Sequence, residues 1–219
     1  MADFTTARRM MVDGQIRTSD ITDHRIISAF QTVPRERFVA PSKTALAYLD
    51  IDVPVVDGDD TRRMLKPMVL AKLIQAAEIA ETDRVLIVGC TTGYSAAIVA
   101  SLAGSVVALD EGVAPAQAVK TLASLGAANV EVVRGPLTAG WSAGAPYDVL
   151  LVEGAIEVMP DSFRAQLREG GRLVCVRGGK PPQKAVAYRL IDGELSGRPI
   201  FDATAPLLPG FAEKPAFVF

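Results

Sequence analysis

The chain has 219 residues, enough to build one sizeable core or a core with an extension. Its 23 Lys+Arg stand against 25 Asp+Glu for a formal net charge of −2, so no global field draws it to nucleic acid or to an anionic membrane, and neither is expected as a partner. Two distant cysteines, Cys90 and Cys175, and a single histidine, His24, offer no metal-ligand spacing and would force any Ser-His, Cys-His or multi-His mechanism through one residue.

Residues 1–9 carry charges but no following apolar stretch, and no apolar run approaches the ~18 residues of a spanning helix, so a cytoplasmic protein with two reduced, buried thiols is expected. Residues 5–19 suit an amphipathic helix with Met10, Met11 and Ile16 inward, weakened by Gly14. Thr22-Asp23-His24 has the form of an N-cap and first turn, which places His24 at the start of a second helix. Ile26, Ile27, Ala29 and Phe30 give that helix an apolar face to about Thr32, and Val33-Pro34 ends it. From Phe38 to Pro67 the chain reads as a long loop, with Pro41, Pro54, the acidic turn Asp57-Gly58-Asp59-Asp60 and the basic run Arg62-Arg63-Met64-Leu65-Lys66. So long an irregular stretch is often functional.

Pro67 opens a helix to about Ala80 whose inner face carries Val69, Leu70, Leu73, Ile74 and Ala77. A buried strand at 84–88 then runs into the turn Gly89-Cys90-Thr91-Thr92-Gly93 and a small-residue helix at 94–103. Strand, glycine turn and helix together aim backbone N–H groups and a helix N-terminus at a ligand. The next strand, 105–110, ends in Asp110, about 20 residues beyond Gly89, the interval at which such a unit puts an acid on ribose hydroxyls. Helices at about 114–125 and 160–168 and strands at 129–133, 147–152 and 171–176 continue the alternation. Beyond Gly178, residues 185–190, the turn Asp192-Gly193, Phe201 and Phe217-Val218-Phe219 read as antiparallel edge strands. The fold expected is therefore α/β: a doubly wound, Rossmann-like sheet, mostly parallel with antiparallel C-terminal strands, under an N-terminal helical cap. Residues 1–66 would form the cap and loop, and 67–219 the core with its extension.

Taken together, Met11-Val12, Gln15-Ile16, Val33-Pro34-Arg35, Phe38-Val39, Tyr48, Asp50, Pro54, Gly93-Tyr94, Gly140-Trp141, Tyr147-Asp148 and Gly170-Gly171-Arg172-Leu173-Val174 make the chain resemble the protein-L-isoaspartate O-methyltransferase family over most of residues 10–178. The cap matches and Gly140-Trp141 are the specific ones, because other methyltransferases share only the glycine turn and the acid. The resemblance implies S-adenosylmethionine as cofactor, no metal, and isoaspartyl proteins or peptides as partners. The acceptor carboxylate is already ionised at neutral pH, so positioning replaces a general base. By the same resemblance Gly89, Cys90, Thr91, Gly93, Asp110 and Gly135 would hold the cofactor, and Arg62, Arg63, Leu65, Lys66 and Pro67 the substrate.

The chain departs from the family pattern inside this presumed site. Thr91 replaces the middle glycine of the turn, Ile87 stands where the strand usually carries an acid, and Pro136 replaces the aspartate of a Gly-Asp-Gly motif. Leu65 occupies the position of a serine linked to catalysis, which leaves the catalytic residue unassigned. Three readings stay open: methyl transfer to isoaspartyl sites, a non-catalytic family member whose basic run binds an acidic peptide or anion, and methyl transfer to another acceptor. Tyr94 and Trp141 read as packing residues.

Overall fold

Alternation at every second residue sets the middle layer of the molecule, which a computed structural model describes for residues 3–112 and 114–213, the side chains at 59 and 60 excepted. In chain order the elements are α1 (Phe4–Met11), α2 (His24–Thr32), β1 (Val53–Val56), β2 (Asp59–Met64), α3 (Pro67–Ala76), β3 (Arg84–Val88), α4 (Tyr94–Ala100) and β4 (Ser105–Asp110). There follow α5 (Ala114–Ser124), β5 (Val130–Arg134), β6 (Tyr147–Ile156), α6 (Asp161–Gln166), β7 (Leu167–Arg177), β8 (Gln183–Ile191) and β9 (Glu194–Ala203). Seven strands make one sheet in the order β5-β4-β3-β6-β7-β8-β9, parallel as far as β7 and antiparallel across β7/β8 and β8/β9. Strand order reverses between β3 and β6, the place where open α/β sheets bind their ligands.

Odd and even strand residues face different layers. Val85, Ile87, Val106, Ala108, Val149 and Leu151 pack with the cap and with α3 and α4. Leu86, Val88, Val107, Leu109, Leu150 and Val152 pack with Tyr147, Phe163, Leu208 and Phe211. A strand covered on both faces reads as an unbroken apolar run, which is why the sheet was visible in the sequence.

Several expectations shift. The first helix stops at Met11, passes through a π-helical turn at Val12–Ile16 and ends in a 3₁₀ turn at Arg17–Ser19, and Met10 is 69% exposed while Met11 and Ile16 are buried. Gly14 lies inside the wide turn, where its low helix propensity is least costly. α3 ends earlier than expected because Glu78 takes a left-handed φ of 50°. The stretch 38–67 is not a plain loop, since β1 and β2 pair as an antiparallel hairpin with Val53 opposite Met64 and Pro54 opposite Arg63. Val53 and Val55 point inward, and that short alternation was masked by the turn residues around it. Phe217-Val218-Phe219 lies outside the described residues.

Arg35 ties the cap to the sheet. It is fully buried, its Nε donates to the Ala47 carbonyl at 2.7 Å, its Nη2 donates to the Leu65 carbonyl at 2.7 Å, and its guanidinium lies 4.8 Å from the centre of the Tyr94 ring. Burial pushes its pKa down, opposed by Tyr94, Glu153 and Asp52 nearby. Phe30 and Phe38 meet the same Tyr94 ring edge-on, so Tyr94 is a packing residue, as its sequence context implies. Arg35→Met keeps the bulk but strips two buried carbonyls of their donor. It should cost about 2–4 kcal/mol, the relieved desolvation of the cation offsetting part of the loss, and lower the urea midpoint at unchanged slope.

Candidate functional site

The carboxyl ends of β3, β4 and β6 meet at the turn between β3 and α4. Gly89 N and Cys90 N both donate to the Leu109 carbonyl, at 2.9 and 3.2 Å, and Gly93 N donates to the Cys90 carbonyl at 2.9 Å, which closes the turn tightly. Thr91 sits in it with a φ of 51°, a conformation a β-branched residue adopts at a cost of about 1–2 kcal/mol. The turn has therefore kept the backbone form that suits glycine. The Thr91 hydroxyl is buried and has no hydrogen-bond partner among the described residues. Gly93 precedes α4 and faces Ala118 and Leu122 of α5.

Asp110 ends β4 with no solvent exposure. Its Oδ1 accepts from Glu111 N at 2.6 Å, and its Oδ2 accepts from Thr91 N and from Arg62 Nη2, the latter at 2.6 Å. Arg62, the fourth residue of β2, is thus turned inward, with a side chain only 14% exposed. Of the basic run singled out in the sequence, the three cations diverge. Arg63 Nη1 donates to the Asp52 carbonyl at 3.3 Å, and Lys66 Nζ donates to Thr204 Oγ1 at 2.8 Å. Leu65 is buried, and Pro67 starts α3.

Two parts of the site were missed by sequence reasoning. The first is Glu153, a fully buried acid near the end of β6. Its Oε2 accepts from the Ser95 hydroxyl, while its Oε1 has no partner among the described residues. Burial, together with the Asp110 charge, pushes its pKa up to about 7 against the pull of Ser95, Arg62 and Arg35. Burial and the same two acids push the Cys90 thiol well up, so Cys90 is no thiolate nucleophile. One charged residue inside the apolar run of β6 was the available signal.

The second is the segment 204–211, which follows β9 and crosses the end of β6. Ala155 N donates to the Pro206 carbonyl at 2.8 Å, Leu208 N to the Ala155 carbonyl at 2.9 Å, and Glu157 N and Val158 N both to the Phe211 carbonyl at 3.0 Å. These bonds seat Leu208 over two glycines. A Cβ on Gly154 would fall 2.5 Å from Leu208 Cγ, and one on Gly89 3.2 Å from Leu208 Cδ2 and 3.5 Å from Arg62 Nη2. The space that a close-approach glycine leaves for a ligand is therefore filled by the chain's own Leu208 and Arg62.

Farther along the rim, Gly135 N donates to the Asp110 carbonyl at 3.2 Å, Pro136 is exposed, and Leu137 N donates to Glu111 Oε1 at 2.8 Å. Trp141 packs on the second core layer. A groove of about 580 Å³ opens beside the hairpin, between Asp50, Asp52, Arg63, Lys66, Gln183 and Thr204. Another cavity, about 660 Å³, involves His24, Arg25, Ala100 and Asn129 and lies toward the amino ends of β4 and β5, away from Asp110. The exposed His24 therefore stands outside the strand-end site. Among the described residues no group of three or more His, Cys, Asp and Glu could hold a metal, and no helix is long and apolar enough to cross a membrane.

The profile of the family described as Protein-L-isoaspartate(D-aspartate) O-methyltransferase matches residues 6–200. A Protein-L-isoaspartate O-methyltransferase of Methanoregula boonei is 40% identical over 180 residues, which cover 82% of this chain and 82% of that protein. A solved protein-L-isoaspartate O-methyltransferase superposes with a TM-score of 0.82 at 26% identity over 93% of this chain and 66% of the other. A Plasmodium falciparum structure, titled a putative protein-L-isoaspartate O-methyltransferase in complex with S-adenosyl-L-homocysteine, shares the fold with a TM-score of 0.74 at 15% identity, over 95% of this chain and 99% of that one.

Two measurements probe the strand-end cluster. Glu153 holds a proton in the folded chain that the unfolded chain releases between about pH 4.5 and 7, so its contribution to stability is full below about 4.5 and is lost as pH rises through about 7. The stability of the wild-type chain relative to Glu153→Gln should fall across that window in urea titrations. A flat difference would mean that Glu153 ionises normally. Thr91→Gly removes the positive-φ cost and a buried unpaired hydroxyl against a smaller entropic cost of glycine. It should stabilise by about 1 kcal/mol, raising the thermal midpoint by ~2–4 °C in calorimetry.

Proposed function

Because the chain belongs to the protein-L-isoaspartate(D-aspartate) O-methyltransferase family, we propose that it methylates the carboxylate of isoaspartyl residues in proteins or peptides, with S-adenosylmethionine as the methyl donor. The family match across residues 6–200 carries the reading, since it takes in the cap and the hairpin as well as the sheet that many methyltransferases share. An isoaspartyl carboxylate is ionised at neutral pH and needs no base to act as a nucleophile. That agrees with a site whose one strong candidate base, Glu153, is buried and whose only histidine lies elsewhere.

What this chain's own residues contribute is placement. Arg35 fixes the backbone at Leu65, the position where the family pattern has a hydroxyl, and so holds the exit of the hairpin beside the groove. Lys66 and Arg63 border the 580 Å³ groove next to it together with Asp50 and Asp52, a lining of mixed charge that suits a polar peptide backbone as well as its carboxylate. Asp110 is the acid suited to a ribose, at the end of β4 beside the glycine turn.

The test is direct. With S-adenosylmethionine labelled in its methyl group, the protein should form a base-labile ester on an isoaspartyl peptide and none on the aspartyl isomer. Asp110→Ala should weaken S-adenosylhomocysteine binding by about tenfold or more in titration calorimetry, the loss of roughly one charged contact. An absence of ester together with an absence of binding at millimolar ligand would overturn the reading and leave the non-catalytic alternative.

A further inference from the structure

The Arg62–Asp110 contact has no part in the placement just described. Asp110 is the acid that a ribose would use, and it is already saturated: three donors reach its two oxygens, and one of them is a cation supplied by the hairpin. Arg62 and Leu208 also fill the space over Gly89 from two different parts of the chain, the hairpin and the segment after β9. Arg62 Nε is buried without a partner among the described residues, so the guanidinium is held on one side only and leaves part of its hydrogen bonding unmet. A group so placed is matched to the carboxylate and poorly matched to the rest of its surroundings.

Resting on the family reading above, we propose that Arg62 is a latch: it occupies the ribose acid Asp110 in the free protein and keeps the cofactor cleft shut. Cofactor binding then requires the Arg62 side chain, with the part of β2 that carries it, to withdraw and Leu208 to lift from Gly89 and Gly154. The hairpin is suited to such a movement, because β1 and β2 pair with each other and form a two-stranded sheet of their own apart from the seven-stranded one. A ligand that binds only the open form has its apparent affinity reduced by the fraction of molecules that are open, so a latch lowers affinity without removing any ligand contact.

The experiment compares S-adenosylhomocysteine binding by titration calorimetry in the wild-type chain, Arg62→Ala and Arg62→Lys, each checked for folding by circular dichroism. Arg62→Ala should bind about tenfold or more tightly than wild type, and Arg62→Lys, which keeps a cation on Asp110, should stay within about threefold of it. In hydrogen exchange on the wild-type chain, saturating ligand should speed exchange of the amides of residues 59–64. Weaker or unchanged binding in Arg62→Ala, with the wild-type chain still binding, would overturn the latch and leave the family reading standing. No binding in any of the three at millimolar ligand would overturn both.

Discussion

A carboxylate with no exposure at the end of a parallel strand must be met by donors, and much of the site's form follows from how Asp110 is met. Two of its donors are backbone amides, those of Thr91 and Glu111, so the turn after β3 must bend until the amide of Thr91 faces β4. That bend is what puts Thr91 at a φ of 51°. The third donor is Arg62, and its reach to Asp110 draws the β1–β2 hairpin down over the strand ends. A bonded cation makes a buried carboxylate tolerable where burial alone would favour neutralising it. Glu153 is hydrogen-bonded on one oxygen to a neutral hydroxyl, and burial lifts its pKa to about 7.

Two inward-turned arginines, Arg35 fully buried and Arg62 partly so, divide the work between framework and site. Arg35 bonds backbone carbonyls and stacks on Tyr94, contacts that any substitution would leave unmet, so it holds the cap, the hairpin exit and the start of α4 in one arrangement. Arg62 bonds a carboxylate that could be satisfied in other ways, by ligand hydroxyls or by water. The first is a fixed part of the fold. The second is exchangeable, and so the hairpin can be rigid at its exit, near Leu65, yet displaceable two or three residues earlier.

The central sheet was legible because both its faces are buried, so β3, β4 and β6 appear as unbroken apolar runs and the helices between them as periodic ones. Asp110 was legible from its interval after Gly89. The hairpin was not, because Asp57, Gly58 and Pro54 carry the signs of a turn and the strands on either side are short. The direction of Arg62 was equally hidden: charge runs are usually solvated, and nothing local distinguishes an arginine that pairs 48 residues away from one that faces water. Leu208 lies between Pro206 and Pro209 with Gly210 next, a stretch that reads as coil, and its seat depends on glycine at 154, far off in sequence.

These long-range contacts also change what the departures from the family pattern mean. Taken singly, Thr91 is a β-branched residue at a place meant for glycine, and its strain and unpaired hydroxyl have no local compensation. Its backbone amide shares Asp110 with Arg62, and Arg62 and Leu208 lie together over Gly89, so the turn, the hairpin and the segment after β9 converge on one place. A volume filled by polar and apolar side chains of the same chain is a closed site, whereas a volume lined by isolated losses would be an empty and weakened one. Thr91 Oγ1, Glu153 Oε1 and Arg62 Nε are each buried without a partner among the described residues. An unmet buried polar atom is costly, and a polar ligand group brought within reach of any of these three would recover part of that cost.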